Sequence, residues 1–271
     1  MSSPPIAFIG GGNMARAIIA GLIRSGHTPS SLQVVEPLAA QREALQTEWG
    51  VSCQAQPDAT LSAARLVVWA VKPQSFREAA AACRDHVQGA LQLSVMAGIR
   101  SDALVSLLGT ERVVRAMPNT PALIGQGVSG VFARPAVTPP ERAQVEALLT
   151  STGATLWLDQ ESDLDAVTAL SGSGPAYVFY VIEALVEAAQ SFGLSEAQGR
   201  QLVLSTFEGA TALALASPDS PAELRQRVTS KGGTTHAALT HLEQRGVKAA
   251  FIEAAQAACQ RAKQMGEEFG A

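Results

Sequence analysis

An α/β architecture is written into these 271 residues: a doubly wound parallel sheet over residues 1–160, then an all-α domain over residues 161–271. Three features point there. Continuous rather than alternating apolar runs rich in Val and Ile recur through the first half. Each is followed by a segment of helix length, the pattern of parallel strands covered on both faces. The first run ends in a glycine-rich turn that opens a helix. After residue 168 strand-like runs stop and the hydrophobic period is helical to the end.

The expected strands are "IAFIG" (6–10), "LQVVE" (32–36), "VSCQ" (51–54), "RLVVWAV" (65–71), "ALQLSVMA" (90–97) and "RVVRAMP" (112–118). The first runs into "GGGNMARAIIAGLIRSG", where Gly10, Gly12 and Ala15 fit G-x-G-x-x-A and Gly26 supplies the helix stop. Gly10 allows a tight turn, Gly12 lets backbone approach a pyrophosphate, and Ala15 lets helix and strand pack closely, as in Rossmann-type dinucleotide sites. Ile9, Gly10, Gly11, Gly12, Asn13 and Met14 are therefore candidate coenzyme contacts, with the pyrophosphate on the first N–H groups of the helix.

Glu36 closes the second strand, where a carboxylate accepts ribose hydroxyls and repels a 2′-phosphate, favouring NAD over NADP. Arg42 lies too far along the next segment to be assigned to a phosphate. The ends of the fourth and fifth strands, Ala70, Val71, Lys72 and Pro73 in one and Met96 and Ala97 in the other, are further candidate coenzyme contacts, because open parallel sheets bind ligands beyond their carboxyl ends. "MPNTPALIGQG" (117–127) is a rigid two-proline loop carrying Asn119 at another strand end, suited to positioning a substrate or simply to turning the chain.

The second half reads as long helices over 171–193, 194–216 and 246–270, the first begun by "SGSGP" with Pro175 in its first turn and ended by Gly193. Their faces are so rich in Ala, Val and Leu that a small bundle would leave apolar surface uncovered. That predicts a homodimer, the alternative being packing on the chain's own first domain. "TSKGGTTHAALTHLE" (229–243) starts a helix with hydroxyls and two glycines. The choice is an ordinary turn and cap, or backbone N–H groups converging on an anion.

Composition narrows the partners. The chain is 47% hydrophobic and 16% charged with net charge −4, and Lys and Arg form no run, so no nucleic-acid or anionic-membrane footprint is present and a small-molecule partner is expected. Cys53, Cys83 and Cys259 share no metal or disulfide spacing and are expected as packed thiols, with no metal site. The N-terminal apolar run is far too short for a signal peptide or a membrane span, so a cytoplasmic location is expected.

Taken in order, "IGGGNMA", "AVKP", "MPNTPA", "SGSGPAY" and "VTSKGGTTHAAL" make the chain resemble pyrroline-5-carboxylate reductase over essentially its whole length. The most specific part is C-terminal, where Pro221, Leu224, Val228, Thr229, Ser230, Gly233, Thr235, Ala238, Leu239, Leu242 and Glu243 all match that family's signature. The resemblance implies a Rossmann-type domain, an all-α dimerisation domain interleaved with a partner, and reduction of (S)-1-pyrroline-5-carboxylate to L-proline with NADPH or NADH, in a homodimer or higher homo-oligomer. NADP-preferring members of the family often carry a small hydroxyl residue where this chain has Glu36.

A small imine with one carboxylate gives the opening of the 234–244 helix a task. N–H groups of Gly232, Gly233 and Thr234 would hold the carboxylate, and Ser230 and Thr235 offer hydroxyls. By similarity, Thr235 would hydrogen-bond the imine nitrogen and help deliver its proton, making it the candidate catalytic residue. Asn119 and Ser173 are candidate supporting contacts or equally turn and cap residues, and Glu161 enters the substrate pocket by weaker resemblance. Two rivals remain: a β-hydroxyacid-dehydrogenase-like or other imine reductase, and a non-catalytic dinucleotide-binding module. The dehydrogenase needs a catalytic lysine on a second-domain helix, where this chain has only Lys248 and Lys263, with Lys231 in the glycine turn. The binding module has no use for a Gly-Gly-Thr-Thr cradle.

Overall fold

The first helix of the molecule starts where its first strand ends, and the computed structural model, which describes residues 4–269, repeats that step along one sheet. In order, β1 (Ile6–Ile9), α1 (Asn13–Arg24), β2 (Leu32–Val35), α2 (Ala39–Trp49), β3 (Ser52–Gln54) and β4 (Leu66–Trp69) make the first half of the sheet. The second half comprises α3 (Phe76–Val87), β5 (Leu91–Ser94), α4 (Ser101–Leu108), β6 (Val113–Met117), β7 (Gly127–Ala133), α5 (Pro139–Thr150) and β8 (Gly153–Trp157). The strands lie in the order β3-β2-β1-β4-β5-β6-β7-β8. The first six repeat the Rossmann order, which opens a crevice between β1 and β4 at their carboxyl ends.

Alternate residues of each strand feed separate cores, which is why the strands read as unbroken apolar runs. Phe8, Val68, Leu93 and Val114 pack with Ile18, Leu22 and Leu45 on one face. Ile9, Val67, Trp69 and Val113 pack with Phe76, Cys83 and Leu104 on the other. All six predicted strands are present. The all-parallel expectation holds up to β6; β7 runs antiparallel to it and β8 is parallel to β7. Neither added strand was expected as such. Gly127 and Gly130 interrupt β7, and a Cβ at Gly130 would sit 2.7 Å from Val167, so close packing and not flexibility requires the glycine.

Beyond the sheet come α6 (Asp163–Val167), a π-helical turn over Thr168–Gly172, and α7 (Gly174–Ser191). Then follow α8 (Glu196–Ala216), α9 (Pro221–Arg227), α10 (Thr234–Gln244) and α11 (Val247–Phe269). The chain divides into two compact units, one running to Ser173 and resuming from Ala257, the other Gly174–Gln256. By compactness the first unit thus runs on past residue 161 to Ser173 and includes the chain's end. The cause is local packing. Leu164, Asp165 and Ala169 are buried in the first unit, and near the end of α11 so are Ala262 and Gly266, Gly266 lying against the Arg100 guanidinium. In the second unit α7 packs lengthwise on α8, with Gly199 against Ala189.

Candidate functional site

At the end of β1, Gly10 has φ +98°, and a Cβ there would lie 2.7 Å from the Ala70 carbonyl oxygen, so only glycine fits between the ends of β1 and β4. Gly11 and Gly10 are buried. Gly12, the N-cap of α1, has open space where a side chain would stand, and no side chain caps the helix. The first intrahelical bond there is Arg16 N–H to the Gly12 carbonyl, so the N–H groups of Asn13, Met14 and Ala15 precede the helix ladder. Ala15 is fully buried, as its close-packing role requires. An open glycine backbone leading into uncapped, positively polarised N–H groups fits a dinucleotide pyrophosphate.

Neighbouring strand ends complete this half. Ile9 pairs with Trp69 and Trp69 with Ser94, which sets Gly10, Ala70 and the Val95–Ala97 segment side by side. Lys72 is exposed and Pro73 begins a 3₁₀ turn, leaving Val71 half-buried at its base. Met96 departs from the expectation in part. Its side chain is 3% exposed and belongs to the core, so only the backbone there and half-buried Ala97 can meet a ligand.

Glu36 is 6% exposed. Its Oε2 accepts from the Gly11 N–H at 2.8 Å and its Oε1 from the Leu38 N–H at 2.9 Å. The carboxylate thus ties the end of β2 to the glycine turn, with one lone pair on each oxygen still unused. Arg42 folds back, and its Nη1 donates to the carbonyls of Glu36 and Pro37, both at 2.7 Å.

Asn119 is largely buried. Its Oδ1 accepts from the Val128 N–H at 2.9 Å, bracing the proline loop on β7 and leaving the amide NH₂ as its free group. Ser173 follows the π-helical turn. Its N–H donates to the Thr168 carbonyl, and its hydroxyl has no partner among the described residues, whereas those of Thr168 and Ser171 bond to their own helix. A Cβ on neighbouring Gly172 would strike the Met117 side chain, so this turn lies against the end of β6.

Glu161, a substrate-pocket candidate by resemblance, has both carboxylate oxygens engaged within the chain. Its oxygens accept the Ser101 N–H (2.6 Å), the Ser101 hydroxyl (2.5 Å) and Arg115 Nη1 (2.7 Å). Its carboxylate caps α4 and neutralises a buried arginine, which is a bracing position. Burial pushes Glu161 up, but the Ser101 hydroxyl and N–H and the Arg115 guanidinium outweigh it and hold the carboxyl below its ordinary value. Arg100 pairs with buried Asp165 at 2.8 Å beside it. Sequence reasoning missed this cluster. The one local signal was Arg115 itself, an arginine inside a buried strand, which must find a carboxylate.

In the second unit, Gly232 has φ +78° and the Gly233 N–H donates to the Ser230 carbonyl at 3.0 Å, closing a tight turn. That corrects one expectation: the Gly233 N–H is already engaged and is not available to an anion. The donors that remain among the described residues are that of Gly232 and, ahead of the first ladder bond from Ala237 to Gly233, those of Thr234, Thr235 and His236. No side chain caps α10, whereas α5, α8 and α9 each carry a full capping box, from Thr138, Ser195 and Ser220. A Cβ at Gly233 would lie 2.7 Å from Ser230 Oγ, so the glycine lets that hydroxyl lie against the helix start. Thr235 is half-buried, and Ser230, Thr234 and His236 are exposed.

Among the described residues no group of His, Cys, Asp and Glu could hold a metal, and the three cysteines are unbridged. Comparison with known proteins gives concordant results. Residues 161–265 match a family described as pyrroline-5-carboxylate reductase dimerisation, and residues 5–98 one described as NADP oxidoreductase, coenzyme F420-dependent. The chain is 41% identical to the pyrroline-5-carboxylate reductase of Pseudomonas aeruginosa, with 100% of both chains covered. The solved pyrroline-5-carboxylate reductase of Coxiella burnetii is 36% identical, with a TM-score of 0.88 over 97% of this chain and 99% of that one. A pyrroline carboxylate reductase of Plasmodium falciparum, solved with NADP bound, is 27% identical, with a TM-score of 0.88 over 98% and 99%.

Proposed function

The chain belongs to the pyrroline-5-carboxylate reductase family, and from that premise we propose how its own residues serve the family's reaction. It is an oxidoreductase that reduces pyrroline-5-carboxylate to proline with NADH or NADPH. Bound coenzyme supplies the hydride that adds to the imine carbon. The protein's part is to bind, orient and protonate.

The uncapped first turn of α1 receives the pyrophosphate, and Glu36 the adenosine ribose. Gly10 and Ala70 meet closely enough to fix the turn, and the ends of β4 and β5 carry the remaining coenzyme contacts. The uncapped first turn of α10 receives the substrate carboxylate on the N–H groups of Thr234, Thr235 and His236, assisted by the Gly232 N–H and the Ser230 hydroxyl. Thr235 Oγ hydrogen-bonds the imine nitrogen. A threonine hydroxyl is a weak acid, so it orients the nitrogen and relays a proton from solvent. The free amide of Asn119 and hydroxyl of Ser173 are supporting contacts, and Glu161 acts indirectly by holding α4 and Arg115. The observation that carries this assignment is the missing cap on α10 directly after a glycine turn that presents two hydroxyls.

The dimerisation region makes the enzyme a homo-oligomer. A homodimer formed through α7 and α8, in a soluble cytoplasmic enzyme, is the form we propose. Oxidation of reduced nicotinamide on addition of pyrroline-5-carboxylate, with simple 2-ketoacids inert, is the expected result. Turnover of ketoacids but not of the imine would move the chain to the hydroxyacid-dehydrogenase reading, and coenzyme binding without any turnover to a sensing module.

A further inference from the structure

We propose that Glu36 makes this enzyme selective for NADH over NADPH, because its anchored carboxylate occupies the ribose end of the coenzyme site with a fixed negative charge. The inference deepens the function proposed above and rests on it. The family fold by itself does not decide the matter, since the Plasmodium falciparum relative was solved with NADP. The preference must come from local side chains.

Three observations set it here. First, the carboxylate cannot turn aside. Both oxygens are held by backbone N–H groups from different segments, Gly11 and Leu38, and the residue is 6% exposed. Releasing it would leave two N–H groups unpaired. A Cβ on Gly11 would lie 3.2 Å from Glu36 Cγ, so the side chain is also packed directly on the glycine turn. Second, the charge is of the wrong sign for a phosphate and the right chemistry for a diol: the remaining lone pairs accept hydroxyl protons, while a 2′-phosphate would bring like charge against a buried anion. Third, the arginine nearest in sequence is bound to the backbone and not to the carboxylate. Pro37, Leu38, Ala39 and Ala40 follow Glu36, and Arg42 has its Nη1 turned onto the Glu36 and Pro37 carbonyls. A 2′-phosphate site needs the reverse, a hydroxyl or arginine free to donate.

Because Glu36 Oε2 also grips Gly11, the ribose contact and the pyrophosphate turn are one unit. Loss of the carboxylate should therefore weaken NADH and favour NADPH together. A residue needed only for folding would weaken both coenzymes in parallel. The opposite signs identify a specificity residue.

The test combines steady-state kinetics with calorimetric binding of coenzyme fragments. For the wild-type enzyme, kcat/KM with NADH should exceed that with NADPH by about tenfold or more, and adenosine 5′-monophosphate should bind correspondingly tighter than adenosine 2′,5′-bisphosphate. Glu36→Gln, which keeps the shape and removes the charge, should narrow both ratios, and Glu36→Ser should narrow them further. Arg42→Ala should not lower the relative use of NADPH. Equal or better use of NADPH by the wild-type enzyme, or fragment affinities indifferent to the 2′-phosphate, would overturn the proposal while leaving reductase activity established. Absence of turnover with either coenzyme would instead strike the function itself, and the fragment affinities would still decide the role of Glu36.

Discussion

Gly233 lacks a side chain because Ser230 Oγ fills the space beside it, and the next residue but one, Thr235, is left half-buried at the second position of α10. That position lets one residue present both an N–H to a carboxylate and a hydroxyl to the imine nitrogen. Thr235→Ala keeps the first and deletes the second. We expect kcat/KM for the imine to fall by about 10²-fold, with coenzyme affinity in a fluorescence titration unchanged; matched losses in both would move Thr235 to the coenzyme. Glu161 is a separate case. Its folded carboxyl lies below the ordinary value of roughly 4.3 expected when unfolded, so folding favours the ionised form. The stability this confers is present above the ordinary glutamate range and lost as pH falls through the folded value. Glu161→Gln should therefore lower Tm near neutrality, by about 2–4 °C for the loss of roughly 1 kcal/mol, with the gap to wild type closing as the solution is acidified below about pH 4. A gap independent of pH would show that packing and not charge holds the cluster.

A missing side-chain cap from the N-cap residue is not by itself a site, since α2, α3, α4 and α6 also lack one. α5, α8 and α9 satisfy their first N–H groups with their own capping boxes, whereas α1 and α10 open from glycine with none. Proline offers a clean probe of α10. At the first helical position it costs the helix nothing, since that N–H has no intrahelical acceptor, and the preceding Gly233 is already extended at ψ 173° as a residue before proline must be. Thr234→Pro should leave Tm and coenzyme affinity near wild type and raise KM for the imine by roughly tenfold, the value of about one charge-assisted hydrogen bond. An unchanged KM would remove that N–H from the site. This division between α1 and α10 was legible in the sequence, because glycine followed by an apolar period is a local pattern, and so were six strands whose apolar runs are unbroken. Less local features were not. β7 carries two glycines that only tertiary packing explains, Gly127 against Ala122 and Gly130 against Val167, and the Glu161–Arg115 pair joins residues far apart in sequence. The closure of the Gly233 N–H onto Ser230 is a matter of turn geometry, on which composition is silent.

At the scale of the molecule, the second unit exposes more apolar surface than a lone subunit should. On α7 and α8, Phe179 is 64% exposed, Tyr180 71%, Leu202 57% and Leu213 57%. Fully burying one such side chain contributes about 1.5–3 kcal/mol, so covering this surface with a second copy would contribute substantially toward the cost of association. A bilayer is the other apolar phase that could cover it, and the helical stretch Asp163–Ser191 is long and apolar enough to cross one by length and composition. Two features oppose that reading. The early part of the stretch is committed to the first unit, where Leu164, Asp165 and Ala169 are buried, and the remaining α7 carries Glu183 and Glu187, which a hydrocarbon core penalises. The match of residues 161–265 to a dimerisation family agrees. Light scattering on the purified enzyme, without detergent, should therefore give at least a dimer, and flotation with phospholipid vesicles should leave it unbound. Phe179→Glu places a third acid one turn before Glu183 and removes an aromatic anchor from the proposed interface. It should shift the mass toward monomer and lower Tm. A wild-type monomer that floats with vesicles would reverse the assignment of this surface.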